Sequence, residues 1–116
     1  MKYIITENRL NNIIFKFLDT KLDGIEKKKG NFYDIVFAFP GKKSGILAWK
    51  KTPNFKKSGD LIVYIELEKE ISNYFGLNTV DSLNVIRKWV EDKYNLKVMN
   101  TYEKSTSVWD LAEDRN

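Results

Sequence analysis

The sequence predicts a small α+β domain in which helices cover one face of an antiparallel sheet, and three patterns support this fold class. An apolar stripe with helical spacing comes first, and three short β-type runs separated by turns follow it. Two further helical stretches then precede a final alternating run. The predicted order is α-β-β-β-α-α-β, with the three consecutive strands forming an antiparallel meander.

The first helix is predicted to begin at Thr6, whose hydroxyl can cap the N-terminus, and to end at Gly24, which can adopt a left-handed conformation. Its apolar residues recur at three- and four-residue steps and share one face: Leu10, Ile13, Ile14, Phe17, Leu18 and Leu22. Residues 27–31 follow as an exposed connection.

Three β-type runs make up the middle of the chain. Residues 35–39 are continuously apolar and end at Pro40, which predicts a largely buried strand. Residues 40–45 have turn chemistry, so residues 46–49 are predicted to pair with the first run as a hairpin. After a second polar connection, residues 61–66 alternate as a third strand.

Two helices and a strand are predicted after the meander. Leu67, Ile71 and Phe75 have helical spacing that Gly76 closes, and Asn78 or Thr79 can cap a further helix that runs to Tyr94. Residues 96–102 alternate as a fourth strand that returns to the sheet. The predicted domain is therefore 1–102, followed by a polar tail at 103–116.

Composition excludes several classes of chemistry. The 116 residues include no cysteine and no histidine, which removes disulfides, thiolate nucleophiles, histidine-based triads and imidazole metal sites. We therefore predict that the protein is not an enzyme and uses no cofactor or metal. No apolar run reaches membrane-spanning length, which predicts a cytoplasmic protein without membrane contact.

Basic residues are segregated along the chain. Residues 25–58 carry a charge of +7, whereas the remainder carries −3. Lysine on exposed turns can neutralise phosphates, and the nearby aromatics Phe32, Tyr33, Trp49 and Phe55 can stack on unpaired bases where they are exposed. The alternative is that these lysines only solvate turns and protect sheet edges. The candidate nucleic-acid-binding residues are Lys27, Lys28, Lys29, Lys42, Lys43, Lys50, Lys51, Lys56, Lys57, Trp49 and Phe55.

Two other features have competing interpretations. Glu66, Glu68 and Glu70, with Asp60 upstream, could hold a hard cation if they lay on a strand, but the charged start of a helix is the favoured interpretation. In the tail, Trp109 either packs back on the domain or anchors a partner, because Trp is a common interface hot spot. Trp89, beside Val90 on the last helix, is predicted to belong to the core or its edge.

Two segments resemble a known group of proteins. The opening Lys2-Tyr3-Ile4-Ile5-Thr6-Glu7, with the apolar positions up to Leu18-Asp19, resembles the start of small uncharacterised accessory proteins of marine tailed phages. The stretch from Trp89 to Val98 is similar to their C-terminal helix-to-strand junction. The resemblance covers about a third of the chain. It implies a phage-encoded viral protein that acts in the host cytoplasm, where such proteins often bind nucleic acid or take part in host takeover.

The sequence therefore favours a non-catalytic binding protein that contacts nucleic acid through its Lys-rich hairpin region. Three alternatives stay open. The protein could be a protein-interaction module that inhibits a host or defence factor or binds a second copy of itself, a virion component, or a protein that sequesters a small ligand.

Overall fold

The computed structural model describes residues 7–41, 45–52 and 58–105, and within them it confirms the α+β class. Three helices and a mixed five-stranded sheet are present in these ranges. In chain order the elements are α1 (Glu7–Lys21), β1 (Glu26–Lys28), β2 (Ile35–Ala38), β3 (Leu47–Lys51), β4 (Ser58–Tyr64), α2 (Ile65–Phe75), α3 (Thr79–Tyr94) and β5 (Lys97–Lys104).

The strands lie in the order β1-β2-β3-β4-β5. The first four pair antiparallel with their neighbours, whereas β5 runs parallel to β4. Two helices separate β4 from β5 and return the chain to the end of the sheet where β4 begins, so β5 must run in the same direction. The prediction of an antiparallel sheet was therefore wrong at this last strand.

One strand was missed because it is polar. Glu26–Lys28 was predicted to belong to an exposed connection, but it pairs with β2 and puts Lys28 opposite Val36. Backbone hydrogen bonds to β2 define this strand, and its side chains carry no apolar signal. Lysines on an edge strand oppose further pairing with other chains, which suits the position of β1 at the sheet edge.

Two boundaries also differ from the prediction. Ile65 and Glu66 open α2 instead of ending the third predicted strand, while β4 begins earlier, at Ser58. The final strand continues past the predicted domain boundary at 102 and includes Glu103 and Lys104. Pairing with β4 explains this extension, because Lys104 lies opposite Tyr64 at the end of that strand.

Local signals placed most helix ends correctly. Gly76 and Asn95, with φ angles of 67° and 54°, are the left-handed residues that end α2 and α3. Gly24 has a φ of 87° but lies three residues beyond the end of α1 at Lys21, so the predicted end of that helix was too late. Asn78 Oδ1 accepts a hydrogen bond from the Asp81 backbone N–H at 2.7 Å, which caps α3. Thr6 lies outside the described residues.

The main core lies between one face of the sheet and all three helices. Phe37, Leu47 and Leu61 on the strands are fully buried, as are Ile14 on α1 and Ile86 on α3. The prediction that Trp89 belongs to this core is confirmed, since only 2% of its surface is exposed. Burial of each large apolar side chain contributes about 1.5 to 3 kcal/mol.

The opposite face of the sheet carries no helix among the described residues. Because directly paired residues share a face, Val36, Ala48, Lys50, Asp60 and Ile62 project together on this side, which we call the open face. Tyr33 and Ile62 pack against the fully buried Val36 and Ala48. The prediction that helices cover only one face is confirmed for this part of the chain.

Membrane-spanning length is not reached by any helix within the described ranges.

Candidate nucleic-acid interface

Five lysines lie at the same end of the sheet. The register places the end of β1 beside the start of β2, the end of β3 beside the start of β4, and Ser58 opposite Lys97 at the start of β5. We call this region the lysine end, and its lysines are Lys28, Lys29, Lys50, Lys51 and Lys97. The acids beside them in the described residues are Asp34, Asp60 and Glu26, whose carboxylate lies 4.0 Å from the Lys28 ammonium.

Not all the predicted basic residues join this region. Lys27 points to the helix-covered face, where its ammonium lies 5.9 Å from the centre of the Tyr94 ring. Thr52 and Ser58 lie at the lysine end, whereas Gly41 and Gly45 lie near the other end of the sheet. Five predicted residues lie outside the described ranges: Lys42, Lys43, Phe55, Lys56 and Lys57.

Trp49 was predicted to contact nucleic acid, but the structure buries its side chain. Its side chain belongs to the main core with 7% of its surface exposed, and its indole N–H donates to the Lys97 carbonyl oxygen at 3.2 Å. A ring packed in this way has no free face on which a base could stack. The prediction for Trp49 was therefore wrong, because strand alternation turns it towards the helices while Lys50 turns to the open face.

The open face contains a groove at the lysine end, which we call the Phe32 groove. Its volume is about 340 Å³, and its lining includes Phe32, Tyr33, Lys50, Thr52, Asp60 and Ile62. Ile62 and the two aromatic rings provide apolar surface, while Lys50 and Asp60 provide opposite charges. Ligand sites commonly combine an apolar lining with a few polar groups in this way.

Two contacts hold the segment between β1 and β2 against the sheet. The first is a cation–π contact, in which the Lys50 ammonium lies 3.4 Å from the centre of the Phe32 ring. Within the segment, the Phe32 and Tyr33 rings meet edge to face with their centres 5.1 Å apart. At the start of β2, the Asp34 carboxylate accepts a hydrogen bond of 2.6 Å from the Lys51 backbone N–H. These contacts fix Phe32 as a wall of the groove, although 63% of its surface is exposed.

The polar groups of the Phe32 groove are only partly engaged by the protein. Asp60 lies opposite Lys50 across the strand pair, and its Oδ1 accepts a long hydrogen bond of 3.3 Å from Asn100 Nδ2. Thr52 Oγ1 is buried without a hydrogen-bond partner in the described part of the chain. A buried hydroxyl without a partner costs about 1 to 3 kcal/mol, which a bound polar group could recover.

A second aromatic residue on the open face was not recognised from the sequence. Tyr102 on β5 lies opposite Ile62, and 51% of its surface is exposed. The alternation in residues 96–102 groups Tyr102 with Leu96 and Val98, which pack against the main core. A bulge between Val98 and Asn100 turns Tyr102 to the open face, so the sequence pattern gave no signal for it. Asp60 and Thr52 gave no signal for this groove either, because only the folded sheet brings them together.

The acidic stretch forms a different structure from a cation site. Glu66, Glu68 and Glu70 lie on α2, as the favoured interpretation predicted, so their spacing does not place them on one face. Glu68 is buried with 3% exposure and accepts a hydrogen bond of 2.7 Å from the Ser72 hydroxyl. Ser72 in turn contacts the Ser82 hydroxyl at 2.8 Å, so this chain of polar groups joins α2 to α3.

Glu103 on β5 lies against this buried network. Burial raises the pKa of its carboxyl group, and the charge and hydrogen bond of Glu68 raise it further, while Lys69 acts in the opposite direction. Within the described residues no group of three or more acidic side chains could hold a metal ion. The network therefore connects the end of β5 to α2 and is separate from the lysine end.

A second groove lies between α1 and α2 on the helical side. Its volume is about 550 Å³, and Phe17, Thr20, Lys21, Glu70 and Tyr74 are among its lining residues. The Phe17 and Tyr74 rings lie 5.2 Å apart, yet 74% of the Tyr74 surface is exposed. Lys21 and Glu70 form an ion pair of 2.6 Å at its rim. Trp109, the predicted partner-binding residue, lies outside the described residues.

Comparison of the chain with protein-family models, with curated proteins and with solved structures gives no match.

Proposed function

We propose that the protein is a non-catalytic binding protein that holds single-stranded nucleic acid on the open face at the lysine end. The observation that carries the proposal is that Lys28 and Lys50 project on the open face, with the Lys50 ammonium against the exposed ring of Phe32. Ammonium groups neutralise phosphates, and an exposed aromatic ring can stack on an unpaired base. This pairing of cations with an aromatic wall supports a single strand better than a duplex, whose base faces are hidden.

Charge balance and composition support the same substrate. The lysine end carries five lysines against Glu26, Asp34 and Asp60, so it retains net positive charge within the described residues. The chain has only three arginines, which are the residues that commonly read base edges in a duplex groove. Tyr102 adds a second exposed ring on the same face. A short strand could therefore run from β3 towards β5.

The test is fluorescence anisotropy of labelled single-stranded DNA, single-stranded RNA and duplex DNA with the full chain. With about three phosphates contacted, a rise from about 50 to 200 mM salt should weaken single-strand binding roughly 20-fold. The double variant Lys50→Glu with Lys51→Glu should lose at least tenfold in affinity. The matched control, Lys16→Glu with Lys69→Glu, changes the same charge on the helical side and should bind within about twofold of the original protein.

Two results would overturn the proposal. One is the absence of single-strand binding at low salt. The other is an equal loss of affinity in both double variants, because net charge alone would then explain the binding.

A protein-interaction module is the second candidate function. It is favoured by the α1–α2 groove, where Tyr74 leaves 74% of its surface exposed, and by Ile13 on α1, one turn before Phe17, which leaves 45% exposed. Exposed apolar side chains beside a groove are typical of protein-binding surfaces. Loss of a captured host protein in Tyr74→Ser, with its retention in Lys50→Glu, would favour this function over nucleic-acid binding.

A further inference from the structure

We propose that the Phe32 groove is a subsite for one unpaired guanine base of the bound single strand. This inference rests on the proposed function and adds a preference for one base to it. The observation behind it is that a carboxylate, Asp60, lines a groove whose other walls are largely apolar and aromatic. A phosphate-binding surface alone has no use for an acidic group at this position.

The shape of the groove suits a flat ring. Ile62 and Tyr33 belong to the small apolar cluster on the open face, and Phe32 forms an exposed wall beside it. The volume of about 340 Å³ is at the lower end of the range for small-molecule sites and leaves room for a single base. Aromatic walls bind bases of unpaired strands by stacking, which is tolerant of base identity.

The base preference comes from Asp60. An ionised carboxylate only accepts hydrogen bonds, so it favours a base edge that presents adjacent donors. Guanine presents its ring N1–H and its exocyclic amino group side by side. Adenine and cytosine each place one amino group beside an acceptor nitrogen, and thymine and uracil place one N–H between two carbonyl oxygens. Guanine is therefore the base that can donate twice to Asp60.

The surroundings of Asp60 are consistent with this role. Asn100 engages Oδ1 through one long hydrogen bond of 3.3 Å, which orients the carboxylate and leaves it further capacity to accept. Thr52 lines the same groove, and its Oγ1 is buried without a partner in the described ranges. Lys50, opposite Asp60, supplies a cation for the adjoining phosphate.

The experiment compares labelled thymine decamers that carry one central guanine, inosine, adenine or cytosine. Guanine should raise affinity roughly tenfold over the all-thymine decamer. Inosine, which lacks the exocyclic amino group, should lose most of that gain, while adenine and cytosine should show little gain. Uracil decamers with a central guanine provide the RNA arm, and the preference should be the same because no contact to the 2′-hydroxyl is involved.

The variants separate this inference from the proposed function. In Asp60→Asn the guanine preference should disappear while the all-thymine decamer still binds, and Asp92→Asn, an equal charge change on α3, should retain the preference. The guanine subsite is wrong if decamers bind with no guanine preference, or if the preference survives in Asp60→Asn. Failure of every decamer to bind would overturn the proposed function together with the subsite.

Discussion

The indole N–H of Trp89 donates a hydrogen bond of 2.9 Å to the Asp19 carboxylate, which joins α3 to α1 across most of the chain. Trp89 is almost fully buried, so its N–H needs an acceptor, whereas Asp19 lies at the surface. The Lys93 ammonium contacts the same carboxylate oxygen at 3.3 Å. The hydrogen bond from Trp89, together with Lys93, lowers the pKa of Asp19.

Asp19→Ala should lower the free energy of unfolding by about 1 to 3 kcal/mol, since it leaves the indole N–H of Trp89 without its acceptor. Chemical denaturation at neutral pH measures this change. Asp23→Ala, an exposed carboxylate in the turn after α1, is the matched control and should change stability by less than about 0.5 kcal/mol. Equal effects of the two substitutions would contradict the role given to the hydrogen bond.

Asp19 should also contribute to acid sensitivity. Because its pKa is lower in the folded state, its stabilising contribution is present above the unfolded pKa and is lost as the pH falls through the folded pKa. Asp19→Asn keeps an acceptor but cannot titrate, so the advantage of the original protein over this variant should shrink below about pH 4. Unfolding curves between pH 2 and 7 measure the difference in stability between the two proteins. A difference that stays constant over this range would contradict the prediction.

The contribution of Glu103 to stability should change with pH in the direction opposite to that of Asp19. The pKa of Glu103 is raised in the folded state, so its contribution is fully present below the unfolded pKa and is lost as the pH rises through the folded pKa. Glu103→Gln should therefore unfold at a higher temperature than the original protein at pH 7 and at the same temperature near pH 3. Glu26→Gln on β1 is the control. A lower melting temperature for Glu103→Gln at pH 7 would refute the prediction.

Gly59 should be intolerant of any side chain. A Cβ atom there would collide with the Lys50 carbonyl oxygen and approach the Trp49 ring to 2.7 Å, and neither group can move freely inside the sheet. Gly59→Ala should cost about 1 to 3 kcal/mol of stability. Gly24→Asn is the control, because its Cβ meets open space and Asn tolerates the left-handed φ. Tryptophan fluorescence during denaturation measures both, and equal stabilities would refute the collision.

The two grooves should act independently. Tyr74→Ser removes the most exposed aromatic ring among the described residues and should leave oligonucleotide affinity unchanged within about twofold, because Tyr74 lies on the helical side. Phe32→Ser, the corresponding change on the open face, should weaken single-strand binding roughly tenfold through lost stacking. Anisotropy titrations compare the two variants. Loss of affinity in Tyr74→Ser would place the nucleic acid on the wrong face for the proposal.

Local patterns determined the helices, most strands and the fold class. Helical spacing from Leu10 to Leu22, the left-handed residues Gly76 and Asn95, and the cap at Asn78 act over a few residues, so their effect can be predicted before the chain folds. Trp89 was assigned to the core or its edge from its position beside Val90 on the last helix. These features determine where elements begin and end and which side of each is apolar.

Tertiary structure alone decided the sheet edges and the candidate site. Glu26–Lys28 is a strand only because β2 lies beside it, and β5 is parallel to β4 only because two helices return the chain across the sheet. Trp49 and Lys50 are neighbours in sequence, yet pairing sends one into the core and the other to the open face. Phe32, Thr52 and Asp60 share a groove through contacts between separate strands and loops, and such contacts have no short-range signature in the sequence.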